Sequence, residues 1–295
     1  MQKVSIKWSS ESRAFWCLIL GGVAIGFSPI LVRMSELGGL STAFWRIAFA
    51  LIPLYLFRAG QGEKENRLGA ASWREKMIAG IPGLFLGAEL ATWHLSLNMT
   101  SVASATLLIN MTPISVAILG WIIFRTTVTK IFLVGMALAI VGVVILKAGP
   151  ASKSSGNLTG DLVAICGSFI YAGYFLSLSK IRPRFSASTI MWWSTISAAI
   201  TVLPFALMIE PDFLPASMAG LAVLVALAWI CHFGGQGMIT HALAWLPPSF
   251  SSLTLLLQPI VAASLAWVFL NESLSGLQIT GGVVVLIGIL VARKG

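Results

Sequence analysis

The sequence predicts an all-α polytopic membrane protein, with ten transmembrane helices in two inverted five-helix repeats around a central cavity. Three observations lead there. Of 295 residues, 57% are hydrophobic and 10% charged, at a mean hydropathy of +0.92, whereas soluble domains carry about 25% charged residues. Apolar runs long enough to cross a hydrocarbon core roughly 30 Å thick recur along the whole chain. The chain also matches itself when shifted by 146 residues.

The runs lie near 14–34, 41–58, 77–97, 101–124, 129–147, 161–179, 188–209, 219–243, 247–270 and 275–292. Lipid satisfies no free backbone N–H or C=O, so runs of this length must be helices. The alternating polarity of barrel strands is absent. In the first run Ser28-Pro29 predicts a kink, because proline removes a backbone hydrogen bond. The second carries Arg46 near its start, where the side chain is expected to snorkel or pair.

The third run contains Glu89, Trp93 and His94. Glu89, Trp93 and Ser96 fall at i, i+4 and i+7, on one helix face. An ionised group at a helix centre costs about 3 kcal/mol on insertion scales, so it faces a cavity or a partner. Two readings stay open. Glu89 lines a pathway, attracting an ammonium group or carrying a proton, or it is a structural carboxylate paired with Arg46 or His94.

Thr106 and Asn110 in the fourth run precede Pro113; Ser251, Thr254 and Gln258 in the ninth precede Pro259. The carbonyls freed at these kinks, with the side-chain amides, could bind a solute's polar groups, or the amides could satisfy the broken backbone. The sixth run places Tyr171 and Tyr174 deep, and with Trp93 and Trp229 they offer stacking and cation–π surface. In the eighth, Trp229, His232, Gln236 and Thr240 share an expected face among Gly234, Gly235 and Gly237, residues that permit close helix approach or local unwinding. Trp8, Trp45, Trp73, Trp121, Trp192, Trp193, Trp245 and Trp267 fall near run ends, where aromatic belts are expected.

The formal charge of +9 is explained by where the cations lie. With a cytoplasmic N-terminus, the inner tails and loops hold Lys3, Lys7, Arg13, Arg58, Lys64, Arg67, Arg74, Lys76, Arg125, Lys130, Lys180, Arg182, Arg184, Arg293 and Lys294. The outer loops hold Arg33, Lys147 and Lys153. This positive-inside bias places both termini in the cytoplasm and argues against a nucleic-acid partner. The first run is long for a signal sequence and lacks a small-residue cleavage site, so it reads as a retained anchor. Cys17, Cys166 and Cys231 all lie in apolar runs and are expected to be buried free thiols. No metal, cofactor or catalytic residue is expected, since HExxH, GxSxG and paired acids are missing. ATP would not drive the protein directly, for the same reason: nothing resembles a P-loop.

At the 146-residue shift Pro113-Ile114 falls on Pro259-Ile260, Trp121 on Trp267, Gly135 on Gly281 and Gly142 on Gly288. The expected division is a first repeat at 1–148, a Gly/Ser-rich connection at 149–160 and a second repeat at 161–295. Five spans is an odd number, so the second repeat enters from the opposite side. Inverted repeats of this kind mark alternating-access transporters, with the substrate near the midplane.

The stretches FWRIAFAL (44–51), LSLNMTSVASATLLINMTPISVAIL (95–119) and SFSSLTLLLQPIVAASLAWVFLNESLSGLQITGGVVVLIGILV (249–291), in this layout, resemble the drug/metabolite transporter superfamily, EamA type. Within it, the length, cytoplasmic termini and Trp-rich interior look most like the YddG amino-acid exporters. The resemblance implies a cavity lined chiefly by helices 1, 3, 4, 6, 8 and 9 and export of small metabolites across the bacterial inner membrane. It often brings a Glu after the fourth and ninth helices. Glu272 fills the second position, where it reads as a cap for the last helix, but Thr126 stands at the first.

The expected function is therefore secondary export of aromatic and neutral amino acids by a protein that acts as a monomer. The alternative is a multidrug or cationic-compound exporter of the same fold. The expected substrate site is Glu89, Trp93, Asn110, Tyr171, Tyr174, Trp229, His232, Gln236 and Gln258, with hinges at Pro29, Pro113 and Pro259.

Overall fold

The computed structural model describes residues 10–60, 70, 72–100, 102–147, 157–270 and 275–294. Lys3, Lys7, Trp8, Lys64, Arg67, Lys153, Glu272 and residues 149–156 of the connection, all singled out above, lie outside the described residues. Among those described, ten helices follow one another. Helix α1 runs Ser10–Gly26 and, past a break at Phe27, Ser28–Arg33; α2 is Gly39–Ala59 and α3 Trp73–Met99. Helix α4 comprises Val102–Ile109 and Thr112–Phe124, α5 is Lys130–Lys147, α6 Leu158–Ile181 and α7 Ala187–Ile209. Helix α8 passes from Met218–Ala226 through a π-helical Leu227–Gln236 to Gly237–Ala242. Helix α9 joins Pro248–Leu253, a 3-10 turn Thr254–Leu256 and Leu257–Leu270, and α10 is Gly276–Ala292. Seven of these helices are long and apolar enough to cross a membrane.

Lipid is as apolar as leucine, so the helices are held together by close packing of small residues. In α5 and α10 the fit is reciprocal. A Cβ on Gly135 would stand 2.6 Å from the Gly288 carbonyl oxygen, and one on Gly288 2.7 Å from that of Gly135. Gly142 and Gly281 repeat the relationship at 2.8 and 2.7 Å. Rising numbers on α5 meet falling numbers on α10, so the two equivalent helices run antiparallel, as inverted repeats require. On the pair α1 and α8, a Cβ on Gly21 would stand 2.8 Å from the Gly235 carbonyl oxygen. Helix α3 abuts α7 so closely that a Cβ on Gly83 would overlap the Ser194 carbonyl oxygen.

The N-terminal end of α1 and the C-terminal end of α10 share one face, where the Arg293 guanidinium sits 3.9 Å over the Phe15 ring. Just inside this face Phe15 stacks on Phe250 at 6.3 Å, and Leu18, Ile239, Leu253 and Leu256 are fully buried behind them. At its rim Arg184 pairs with Glu75 at 2.8 Å.

The opposite face is tied by two carboxylates. Glu210, at the end of α7, accepts the N–H groups of Leu40 and Ser41 at 2.7 Å each. Glu36, before α2, accepts the N–H groups of Ala216 and Ser217 at 3.0 Å each and the Ser217 hydroxyl. Each carboxylate thus satisfies orphan donors at the start of a helix in the other repeat.

The expected thiols differ in one respect: all three are free, but only Cys231 is buried, and Cys166 is exposed. An apolar run in a membrane protein turns one side to lipid, so an apolar neighbourhood in sequence does not fix burial.

Candidate functional site

The prolines shape the middle of the bundle. Pro113 cannot donate to the Ile109 carbonyl, and the Thr112 hydroxyl takes that acceptor instead at 2.6 Å. Helix α4 is interrupted at 110–111 as a result, and α1 and α9 are interrupted at Phe27 and 254–256, beside Pro29 and Pro259. The side-chain amides of Asn110 and Gln258 are not used to mend the backbone; among the described residues neither makes a hydrogen bond.

Around these breaks lies a cavity of about 260 Å³. Of the residues singled out from the sequence, Glu89, Trp93, Asn110, Tyr171, His232, Gln236 and Gln258 line it, together with Pro29, Pro113 and Pro259. Ile25, Leu86, Leu90, Ile109, Leu146 and Leu255 supply its apolar wall. A mostly apolar pocket with a few placed polar groups is the usual form of a small-molecule site.

The polar groups differ in how they are held. On α8, His232 Nε2 lies 3.0 Å from the Thr195 hydroxyl of α7. Gln236 donates to the Tyr174 hydroxyl at 2.5 Å. On α2, Arg46 Nη1 donates to the Ser28 hydroxyl at 3.0 Å, while its Nε is buried without a partner. Trp93 Nε1 is likewise buried without an acceptor. Glu89 is 6% exposed, and among the described residues it accepts no hydrogen bond and pairs with neither Arg46 nor His94. His94 instead packs on Trp93, at 4.8 Å between ring centroids, and over Gly39.

Two expected residues are elsewhere. Trp229 is 46% exposed on the outer surface. Its expected alignment with His232 and Gln236 assumed α-helical winding, but residues 227–236 form a π-helix, whose i→i+5 bonds widen each turn and rotate Trp229 away. Tyr174 is fully buried; it stands behind Gln236 and does not face the cavity. Ser96, grouped with Glu89 and Trp93, is also fully buried and bonds the Trp93 carbonyl at 2.6 Å. Conversely, Arg46, Ser28, Thr106 and Thr112 line the cavity. For Arg46 the signal was present in the sequence, since an ionisable group within a span is a site candidate by default.

The sequence profile of the EamA-like transporter family matches residues 12–147 and again 158–293. A Streptantibioticus cattleyicolor protein described as a "Probable terminal-alkyne amino-acid exporter" is 23% identical over 285 residues, 96% of this chain and 94% of its own. A Salmonella typhimurium "Probable amino-acid metabolite efflux pump" is 26% identical over 185 residues, 59% of this chain and 61% of its own. A solved crystal structure superposes with a TM-score of 0.81 over 97% of this chain and 98% of its own, at 15% identity, which speaks to the fold.

Proposed function

Because the chain belongs to the EamA-like transporter family, we propose that it is a secondary transporter that exports amino acids, aromatic and neutral ones foremost, across the bacterial inner membrane. Both termini would lie in the cytoplasm, on the face where basic loops concentrate. The repeats 1–148 and 161–295, joined by 149–160, would rock about the kinks at Pro29, Pro113 and Pro259 and open the cavity to each side in turn.

One observation carries this reading: a small cavity bordered by broken helices holds polar side chains that the fold itself does not use. The side chains of Asn110, Gln258 and Glu89 face it without hydrogen bonds among the described residues. Trp93 and Tyr171 add aromatic surface. The names of the two relatives above point to amino-acid cargo as well.

A multidrug or cationic-compound exporter remains the second reading, favoured by the unpaired Glu89. The size of the site weighs against it. About 260 Å³ falls below the roughly 300–1,000 Å³ of pockets that take drug-sized ligands.

The test is metabolite profiling of the medium of cells with and without the protein, alongside Trp93→Ala. Extracellular amino acids should rise with the native protein and fall back with the variant. An unchanged medium would refute export.

A further inference from the structure

We infer that the cavity recognises a zwitterion, its free ammonium received by Glu89 and its free carboxylate by Arg46 and the indole N–H of Trp93. The inference rests on the proposed role of the cavity and names the chemistry of what enters it.

Among the described lining residues Glu89 is the one carboxylate and Arg46 the one guanidinium, and they come from different helices, α3 and α2. Were they a structural pair they would meet, since an unpaired buried charge is strongly destabilising. They do not meet: no ion pair joins them. Each side is left with capacity unspent. Among the described residues Glu89 has no hydrogen-bond donor, and both Arg46 Nε and Trp93 Nε1 are buried without an acceptor. An orphaned buried donor costs about 1–3 kcal/mol, and more when charged. Two donors and a carboxyl group without hydrogen-bond partners among the described residues line one cavity, a standing deficit that a suitable ligand removes.

The sign of the ligand follows by elimination. A simple cation satisfies Glu89, leaves the guanidinium and indole orphaned, and adds a positive charge beside Arg46. A simple anion does the reverse. A molecule carrying both charges a few bonds apart satisfies all three groups and keeps the loaded cavity electrically neutral. The remaining lining groups suit the rest of such a solute: uncharged amides on Asn110 and Gln258, and the apolar and aromatic wall.

The test uses purified full-length protein in proteoliposomes, preloaded with phenylalanine, and counterflow of labelled phenylalanine. Unlabelled phenylalanine competes with 2-phenylethylamine, which lacks the carboxylate, and 3-phenylpropionate, which lacks the ammonium. Each analogue should compete about tenfold or more weakly than phenylalanine, the scale of one lost charged hydrogen bond. Arg46→Gln should narrow the gap between phenylalanine and 2-phenylethylamine, and Glu89→Gln that between phenylalanine and 3-phenylpropionate, with Arg46→Lys restoring part of the first. The competition on native protein stands even where a variant fails to fold. If 2-phenylethylamine competes as well as phenylalanine, the zwitterion inference fails while export by this cavity stands. If no labelled phenylalanine enters, both the amino-acid reading and the inference fail.

Discussion

Gly135 and Gly288 each leave the space that the other's carbonyl oxygen fills, at 2.6 and 2.7 Å from a would-be Cβ. Gly142 and Gly281 do the same, and the 146-residue shift converts one pair into the other. The contact is self-complementary in the way a two-fold axis demands, so it identifies the seam where the inverted repeats meet. A side chain here must force two backbones apart. Gly135→Val should destabilise the protein by about 1–3 kcal/mol and lower its midpoint of thermal unfolding in detergent. Combined with Gly288→Val the loss should be less than additive, because both changes spread the same helix pair.

The carboxylates of the far face make a second prediction. Glu210→Ala removes the acceptor of the Leu40 and Ser41 N–H groups, a lost cap worth about 1–2 kcal/mol, and should speed hydrogen exchange at those amides. At Glu36 the clasp is pH-dependent. The Ser217 hydroxyl and the Ser217 and Ala216 N–H groups hold its pKa below the ordinary value of 4.5, against a smaller opposing effect of burial. A depressed carboxylate stabilises the fold fully above its unfolded value and loses that contribution as pH falls through its folded one. Protection of the Ser217 amide relative to the unfolded chain should therefore be unchanged from neutrality down to about pH 5 and fall only in stronger acid. Glu36→Gln should abolish the acid-dependent step.

The positioning of His232 gives a third. Thr195 is fully buried on α7 and supplies the partner of its Nε2. Thr195→Val keeps the shape and removes the hydroxyl, leaving the imidazole free to turn. Export should fall several-fold, with a stability loss of no more than about 1–3 kcal/mol from the unpartnered imidazole, and Thr195→Ser should restore both.

The reading of α8 predicts a contrast between two tryptophans. Trp229→Ala alters a half-exposed outer surface and should leave export close to native. Trp93→Ala opens the cavity wall and should reduce it strongly. Efflux assays on both variants at matched expression decide the point.

What the sequence discloses and what it conceals divide along physical lines. The ten spans are legible because lipid imposes a length and a polarity on each of them. Glu89 is legible because a lone carboxylate in an oily helix needs a reason to be there. Trp229 is misread because period-3.6 reasoning has no access to a π-helical stretch; the Gly234, Gly235 and Gly237 cluster hints at irregularity without giving its direction. Tyr174 is misread because depth in the membrane does not say which neighbour a hydroxyl will find. The clasps at Glu36 and Glu210 are invisible to local patterns, since their partners lie about 170–180 residues away.

The most direct test probes the cavity itself with a thiol. Ala262 lines it, and Cys17, Cys166 and Cys231 can be replaced by alanine to clear the background. In an Ala262→Cys protein, alkylation with a small maleimide should stop phenylalanine counterflow, and phenylalanine present during labelling should slow the alkylation. Complete alkylation with counterflow intact, or labelling at a rate indifferent to phenylalanine, would contradict the account.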